Sequence, residues 1–384
     1  MSNKNNSAPA LTIGPRVRKS PYFDATLRHG AKAFSVYNHM YMPTVYTDPI
    51  TEYGHLVTDV TLWDVGCERQ VEITGRDAHK FVQLMTPRNL SVCPIDACRY
   101  VLLTAEDGGI INDAILLRLA ENHFWLSPGD GDLLLWAQGI ATHAGLQVNI
   151  SEPDVSPLQL QGPKAPEVAR TLFGDVAIEL GYFHMRQLDL DGIPVVLSRT
   201  GWSGELGYEL YLRDGSKGDE LWDKVMAAGQ GQNITPAAPN TIRSIEGAIL
   251  SYGSDITRRD NPWTIGMGRL VDLDQEADFL GKGALHRIHA EGIKRRLVGV
   301  EIDGEPIGGN DTMWPVLSNK QLIGHVSRCA YSPRLRKNIG FVNVPTECAT
   351  EGTHLRIETP VGLADARVVA LPWFKPVTRI TVTQ

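Results

Sequence analysis

The segment SRTGWSGELGYELYL, residues 198–212, combines side chains that could bind a flat polar ligand. Its three glycines, spaced three residues apart, would let the backbone approach such a ligand closely because they carry no Cβ. Glu209 alternates with apolar neighbours along a predicted strand, so it can point inward with Tyr211 roughly opposite. A carboxylate there can accept paired hydrogen bonds from an N–H/NH₂ edge, as on a pterin. The alternative is a solvent-exposed hairpin with Trp202 packed across its base.

The segment EDGGIINDAILL places Asp113 near the start of an apolar strand, just after a Gly-Gly turn. Burying a carboxylate without a partner is expensive, so this residue needs a structural or chemical reason. One reason is a role in binding or catalysis. The other, which the residues alone favour, is a turn carboxylate that caps backbone N–H groups.

A third segment, SYGSDITRRDNPWTIGMGRLV, is dense in turn residues and carries Trp263. Binding residues are over-represented on such loops, although an irregular connection between domains is the alternative. The chain has no GxGxxG motif after a strand, no GxxxxGK[ST], no HExxH and no GxSxG. Its histidines also lack metal-ligand spacing, so we expect no metal site.

Two strand–turn–helix units must position these residues, one in RQVEITGRDAHKFVQLM and the other in PLQLQGPKAPEVARTLF. Together with antiparallel meanders they predict an α+β fold with a weak internal duplication. Toward the C-terminus, short alternating strands punctuated by glycine and proline predict a small β-barrel or jelly roll. We expect a flexible arm over 1–20, two interleaved α+β subdomains over 21–285 and the β domain over 286–384.

Composition limits the functional classes. The formal net charge of −7 disfavours a nucleic-acid partner. Five cysteines without a CxxC pair favour reduced thiols over a disulfide framework. No apolar run approaches the roughly 20 residues of a membrane helix, and the N-terminus lacks a signal-peptide core. We therefore expect a cytoplasmic protein with no membrane partner.

Six segments in chain order resemble the folate-binding aminomethyltransferase superfamily, which includes the T-protein of glycine cleavage. They are GGIINDA, QGPKA, RTGWSGELGYELY, RSIEGAILSYGSDI, DFLGKGAL and YSPRLRKNIGFVNV. The resemblance covers most of the chain and implies a T-protein-like fold with tetrahydrofolate as ligand. It also places Asp113 at the family's key aspartate.

Within that superfamily, FSVYNHMYMPTVY and LWDVGCERQVEITGRDAHKFVQLMTPRNLS resemble the dimethylsulfoniopropionate (DMSP) demethylases more than the T-protein. Two positions depart from the pattern. The glycine-rich hairpin reads Ser-Gly-Glu-Leu-Gly, as in the T-protein, where DMSP demethylases have Ser-Lys-Gln-Gly-Gly. Ser244 occupies a position that is usually arginine in the superfamily. The methyl donor therefore stays open among sulfonium, betaine and N-methyl amine compounds.

The resemblance implies a methyltransferase that moves a methyl group from a small onium donor, such as DMSP, to N5 of tetrahydrofolate. It assigns Asp113 to catalysis and to orienting the folate, Glu209 to the pterin edge and Tyr211 to folate stacking or closure of the site. Trp202 is a candidate for both ligands. A cationic donor should lie against aromatic rings, and the candidates for its site are Tyr37, Trp202 and Trp263.

Two other functions remain open from the sequence. The Gly-Glu-x-Gly-Tyr-Glu hairpin favours an aminomethyltransferase, which would need a lipoyl carrier protein and release ammonia. A folate-binding protein without turnover is the second alternative. A homodimer is compatible with the sequence, which does not fix the oligomeric state.

Overall fold

The computed structural model describes residues 11–380. Its α-helices are α1 (Phe23–Arg28), α2 (Pro49–Thr58), α3 (Ala78–Met85), α4 (Leu133–Ala144), α5 (Ala165–Phe173), α6 (Asp175–Glu179), α7 (Gly218–Ala228), α8 (Thr241–Glu246) and α9 (Lys282–Glu291). Its first strands are β1 (Ala33–Tyr37), β2 (Met40–Val45), β3 (Val60–Asp64), β4 (Val71–Thr74), β5 (Ala97–Thr104), β6 (Ile110–Ala120), β7 (His123–Pro128), β8 (Asn149–Ser151), β9 (Ser156–Gln161), β10 (Met185–Leu190), β11 (Ile193–Ser198), β12 (Gly207–Leu212) and β13 (Ile234–Pro236). The C-terminal strands are β14 (Arg295–Ile302), β15 (Trp314–Ser318), β16 (Gln321–Ser332), β17 (Lys337–Pro345), β18 (His354–Thr359) and β19 (Gly362–Val369).

The two predicted strand–turn–helix units are present as β4–α3 and β9–α5. Both turns contain a glycine with positive φ, +115° at Gly75 and +135° at Gly162. In both, a Cβ would meet a backbone carbonyl of a neighbouring segment, at 2.6 Å from Gln147 O and 2.5 Å from Asp59 O respectively. The repeated requirement for glycine supports the predicted internal duplication.

A six-stranded sheet in the order β10-β11-β12-β9-β3-β13 is antiparallel except where β13 pairs with β3. Helices α5, α6 and α7 cover one of its faces, and Val168, Leu210 and Trp222 lie in the core between them. Removing this apolar surface from water supplies the main stabilisation of the layer.

A five-stranded sheet in the order β5-β6-β7-β4-β8 packs α3 and α4 on one face. Its other face meets the six-stranded sheet through a shared apolar cluster. Leu117 and Trp125 come from one sheet, and Val196 and Tyr211 come from the other. Residues that point into this junction are therefore enclosed by both sheets.

The C-terminal domain is a closed barrel in the order β14-β17-β16-β15-β18-β19, which confirms the barrel alternative. The predicted boundary at residue 286 falls inside α9, and the barrel itself begins with β14 at Arg295. The apolar strand pattern located the domain but not the helix that precedes it.

The flexible arm expected over 1–20 lies partly within the described residues. Residues 1–10 lie outside the described part of the chain. Within residues 11–20, the Gly14 N–H donates to the Tyr41 hydroxyl at 2.8 Å, and the backbone of Arg18 forms an isolated β-bridge with Met40. Ser20 is buried and donates to Asp64 Oδ2 at 2.5 Å. This segment is therefore packed against β2 and β3.

Among the helices of residues 11–380, none combines the length and apolar character needed to cross a membrane.

Candidate active site

Strand β12 brings Glu209 to the junction between the two sheets. Alternation along the strand sends Tyr208 toward the helices, where its hydroxyl donates to Ala177 O at 2.8 Å. Glu209 and Tyr211 point the other way, so they share a face and do not lie opposite each other as the sequence suggested. The Tyr211 hydroxyl donates to Glu209 Oε2 at 2.8 Å.

The Glu209 carboxylate is 2% exposed and accepts three hydrogen bonds. Oε1 accepts from Gln159 Nε2 at 2.7 Å, while Oε2 accepts from the hydroxyls of Tyr211 and Thr200. Because a carboxylate oxygen offers about two lone pairs, Oε2 is filled and Oε1 retains one acceptor site. A heterocycle edge that donates two hydrogen bonds fits here once Tyr211 or Thr200 turns aside.

Gln159 on β9 ties the site together through its side-chain amide. Its Oε1 accepts from the backbone N–H of Trp202 at 3.3 Å. Its Nε2 donates to Glu209 Oε1 at 2.7 Å and to Glu68 Oε1 at 3.2 Å. One amide therefore holds two carboxylates and the glycine-rich turn in fixed relation.

The two glutamates bound to Gln159 are both driven toward the protonated form. Burial raises the pKa of Glu209, although the hydrogen bonds from Thr200, Tyr211 and Gln159 oppose this. Burial raises the pKa of Glu68 well above its usual range, and the negative charge of Glu209 raises it further. The unliganded site therefore favours binding of a proton or of another cation.

Asp113 on β6 lies in the same junction, facing the neighbouring strand β5. The Tyr100 hydroxyl donates to Asp113 Oδ2 at 2.7 Å. Burial raises the pKa of Asp113 to about 6, against the lowering effect of the Tyr100 hydrogen bond. Asp113 therefore changes its charge close to neutral pH.

The capping role considered for Asp113 belongs instead to Asp107, within the turn itself. The Gly109 N–H donates to Asp107 Oδ1 at 3.0 Å. Asp107 also pairs with Arg258 at 2.8 Å, and a Cβ at Gly109 would clash with the Arg258 side chain. Arg258, in the loop after α8, thus holds the Gly-Gly turn through Asp107. Asp113 has no part in these contacts.

Of the aromatic candidates, Trp202 is linked to these carboxylates through its backbone N–H, which donates to Gln159, whereas Tyr37 lies near Asp130 and Cys67. Trp202 donates through Nε1 to Leu250 O at 3.2 Å, and the Arg328 guanidinium lies over its ring at 5.4 Å from the centroid. The pKa of the Tyr37 hydroxyl is raised by burial and by Asp130 and Cys67, and lowered by Arg328. Arg328 therefore acts on both aromatic residues.

Trp263 makes different contacts. Its ring lies 5.2 Å from the His289 ring of α9 and packs closely over Gly268. Within residues 11–380, no hydrogen bond or ring contact joins Trp263 to Trp202 or Tyr37. The structure thus brings Trp202 to the acidic residues but does not bring Trp263 to them, and a role for Trp263 stays a prediction.

Arg328, on barrel strand β16, was not identified from the sequence. Its guanidinium donates to Asp255 Oδ2 at 2.7 Å and to the Ile249 carbonyl at 2.7 Å. It also donates to Ser244 Oγ at 3.0 Å, the position where the superfamily pattern has arginine. A guanidinium from the barrel therefore reaches position 244, where the family pattern has arginine and this chain has serine.

The glycines of the hairpin serve a different purpose from the one predicted. A Cβ at Gly201 or Gly207 would lie 2.3–2.4 Å from the side-chain amide of Gln161. Gly204, with φ of +71°, faces the guanidinium of Arg243. These glycines make room for buried polar side chains of the protein and not directly for a flat ligand.

Sequence reasoning also missed Glu68, Gln159 and Tyr100. A signal was present for two of them. Glu68 is the first residue of the ERQVE stretch. Gln159 and Gln161 alternate with leucine on β9, a strand whose residues are all buried. Buried amides on a strand need partners, which is a reason to expect a polar network there.

Comparison with known proteins agrees with this architecture. The GCVT N-terminal domain model matches residues 22–275, and the glycine cleavage T-protein C-terminal barrel domain model matches residues 295–375. The chain is 36% identical to the dimethylsulfoniopropionate demethylase DmdA of Ruegeria pomeroyi, covering 92% of this chain and 96% of that protein. It is 31% identical to an aminomethyltransferase of Alkaliphilus metalliredigens, covering 93% and 98%.

Among solved structures, the glycine cleavage system aminomethyltransferase T of Bartonella henselae has the same fold. The TM-score is 0.85 at 24% identity, over 95% of this chain and 99% of that one. The first domain model alone spans more than half of the chain. The chain therefore belongs to the glycine cleavage T-protein family, with a GCVT N-terminal domain followed by the family's C-terminal barrel.

Proposed function

We propose that the protein is a tetrahydrofolate-dependent demethylase that transfers a methyl group from a small sulfonium or betaine-type donor, such as DMSP, to the folate. The observation that carries this proposal is a set of three carboxylates, Glu68, Asp113 and Glu209, in one junction, to which the backbone of Trp202 is joined through Gln159. Within the described residues, their hydrogen-bond partners are neutral hydroxyls and one amide, with no lysine or arginine among them. Such a site suits a positively charged donor beside a neutral heterocycle.

Glu209 is the residue we assign to the pterin edge, since Oε1 retains an acceptor site and Gln159 fixes its position. Tyr211 holds Oε2 and is the hydroxyl that turns aside or closes over the ligand. Asp113, with a pKa of about 6, orients the folate and stabilises positive charge that develops beside it. Trp202, one face of whose ring lies against the Arg328 guanidinium, and Tyr37 are the aromatic residues that we assign to the donor.

When bound, tetrahydrofolate would supply N5 as the nucleophile. The N5–methyl bond would form as the bond from the methyl group to the donor's sulfur or nitrogen breaks, that atom would keep the electron pair, and the N5 proton would pass to water. The positive charge of the donor already makes the departing group good. The protein's contribution is then mainly positioning, which can be worth several powers of ten in rate. Gln159, by holding Glu209, Glu68 and the Trp202 turn together, is the residue that fixes this relative placement.

An aminomethyltransferase is the second candidate, favoured by the T-protein-like hairpin at residues 203–209 and by relatives of that name. The demethylase is preferred because a relative named for it is 36% identical over 92% of the chain. The five cysteines are all unpaired, which suits a reducing compartment such as the cytoplasm. We leave the homodimer as an expectation.

The test is to incubate the purified protein with tetrahydrofolate under anoxic conditions and follow 5-methyl-tetrahydrofolate by mass. The donors are DMSP, glycine betaine and dimethylglycine, each supplied separately. Product from DMSP supports the proposal as stated, and product only from another donor moves the substrate while keeping the reaction. Folate binding without product from any donor refutes the demethylase and favours the carrier-dependent or non-catalytic alternatives.

A further inference from the structure

The proposed function gives Glu209 to the folate but gives no role to the neighbouring carboxylate of Glu68. It lies in the connection between β3 and β4 and is partly exposed, whereas Glu209 is 2% exposed. Its Oε2 accepts from Ser127 Oγ at 3.2 Å, and its Oε1 accepts from Gln159 Nε2 at 3.2 Å. Both donors are neutral, so they give the Glu68 carboxylate no cationic partner.

The surroundings of Glu68 are negative. Glu209 and Asp113 both raise its pKa through their charges, in addition to burial. The adjacent Arg69 does not compensate, since its guanidinium bonds to Glu152 and, at 3.3 Å, to the Asn38 carbonyl. An anionic group enclosed beside two others is costly unless a cation joins it.

A second, independent feature marks the same wall of the site. Gln70 donates through Nε2 to Ser127 Oγ at 3.1 Å and to the carbonyl of Glu68. Its Oε1 is buried without a hydrogen-bond partner among the described residues. The Ser127 hydroxyl links this amide to the Glu68 carboxylate, and an unpartnered oxygen of this kind suits the polarised C–H groups that surround an onium centre.

Glu68 is better placed than Glu209 for such a centre. Glu209 already accepts three hydrogen bonds, and both lone pairs of Oε2 are used. Glu68 accepts two and keeps exposed surface. Gln159 Nε2 donates to both glutamates, at 2.7 Å to Glu209 Oε1 and at 3.2 Å to Glu68 Oε1. These two carboxylate oxygens are therefore held close together.

We propose that the Glu68 carboxylate is a specificity-determining residue that accepts the positively charged sulfur or nitrogen of the methyl donor. This inference rests on the proposed function and divides the acidic site between the two ligands. Glu209 takes the folate edge, and Glu68 supplies the counter-charge to the donor. The backbone N–H of Trp202 donates to Gln159 Oε1, so this aromatic residue is held beside the amide that joins the two glutamates.

The probes are DMSP and 4-methylpentanoate, in which a neutral CH replaces the positive sulfur without changing the shape. For each variant, the KM of DMSP and the inhibition constant of 4-methylpentanoate are measured at saturating tetrahydrofolate. We expect the wild-type protein to prefer the cation by about tenfold or more. In Glu68→Gln, whose amide oxygen can accept from Gln159 and whose NH₂ can donate to the Ser127 hydroxyl, this preference should fall about tenfold while folate affinity is unchanged.

Glu121→Gln is the matched control, because Glu121 is an exposed glutamate in the turn after β6, and it should keep the wild-type preference. Glu68→Asp keeps the charge and should retain the preference with a higher KM. An unchanged preference in Glu68→Gln overturns the inference. If Glu68→Gln does not fold, equal binding of the two probes by the wild-type protein overturns it instead. Failure of the wild-type protein to demethylate any of the three donors refutes the proposed function, and this is measured before any variant. If only another donor is demethylated, that donor and its uncharged carbon analogue replace the two probes.

Discussion

Replacing Asp113 by asparagine should make the protein more stable at neutral pH while lowering its activity. Burial raises the pKa of Asp113 from 3.8 to about 6, so the folded protein holds this proton more tightly than the unfolded chain. Stability is therefore lost as the pH rises through the window between these two values, and the loss is complete above it. Asparagine carries no charge in either state and escapes this loss.

The magnitude follows from the width of that window. A shift of about two units at about 1.4 kcal/mol per unit gives about 3 kcal/mol, which solvent screening of a partly exposed carboxyl reduces to about 1–3 kcal/mol. Roughly half of it accrues above pH 5. The stabilisation by Asp113→Asn should therefore be larger at pH 7.5 than at pH 5.0 by about 1 kcal/mol.

Urea unfolding followed by tryptophan fluorescence at the two pH values measures this difference. Effects of the substitution that do not depend on pH cancel in the comparison. Asp107→Asn is the control: the hydrogen bond from Arg258 lowers the pKa of Asp107, so its titration lies below pH 5 and its effect should be the same at both values. An Asp113→Asn effect that is equal at pH 5.0 and 7.5 would show that Asp113 is not a buried carboxyl with a raised pKa.

Three further substitutions test other parts of the site. Glu209→Gln should weaken tetrahydrofolate binding about 10- to 100-fold in calorimetric titration, because one hydrogen-bond acceptor becomes a donor, whereas the exposed Glu167→Gln on α5 should leave it unchanged. Trp202→Leu should raise the KM of a cationic donor about 2- to 30-fold with little change in folate affinity. Arg328→Met should lower the free energy of unfolding by about 3–5 kcal/mol, since the fully buried Asp255 carboxylate loses its cationic partner. Urea unfolding measures this change. The control is Arg287→Met, because Arg287 is exposed on α9.

The elements that local sequence specifies were predicted well. The turns at Gly75 and Gly162 can be identified because each follows an alternating strand and precedes a helix with apolar spacing. The C-terminal barrel could be predicted from its short, punctuated strands. Helix α8 ends at Glu246, where the chain turns at Gly247.

The candidate site could be predicted only in part, because its contacts join distant segments. Glu209 and Asp113 could be singled out as acidic residues on apolar strands. Their partners could not, since Gln159 is 50 residues from Glu209 and 91 residues from Glu68. Only the order of strands in the sheet, with β9 beside β12, brings these side chains together. Trp263 illustrates the converse, an aromatic residue on a suitable loop that the fold directs toward α9.

The departure at Ser244 shows how the two domains share one site. A serine at this position of α8 is small enough for Arg328 of the barrel to approach, and its hydroxyl accepts one guanidinium hydrogen. Asp255 and the Ile249 carbonyl orient the rest of the group, so its charge is fixed over Trp202 and close to Tyr37. The positive group at this edge of the site is therefore present only when the barrel is docked. Any change that loosens the barrel should alter the surroundings of Trp202 and Tyr37 before it disturbs the carboxylates held by Gln159.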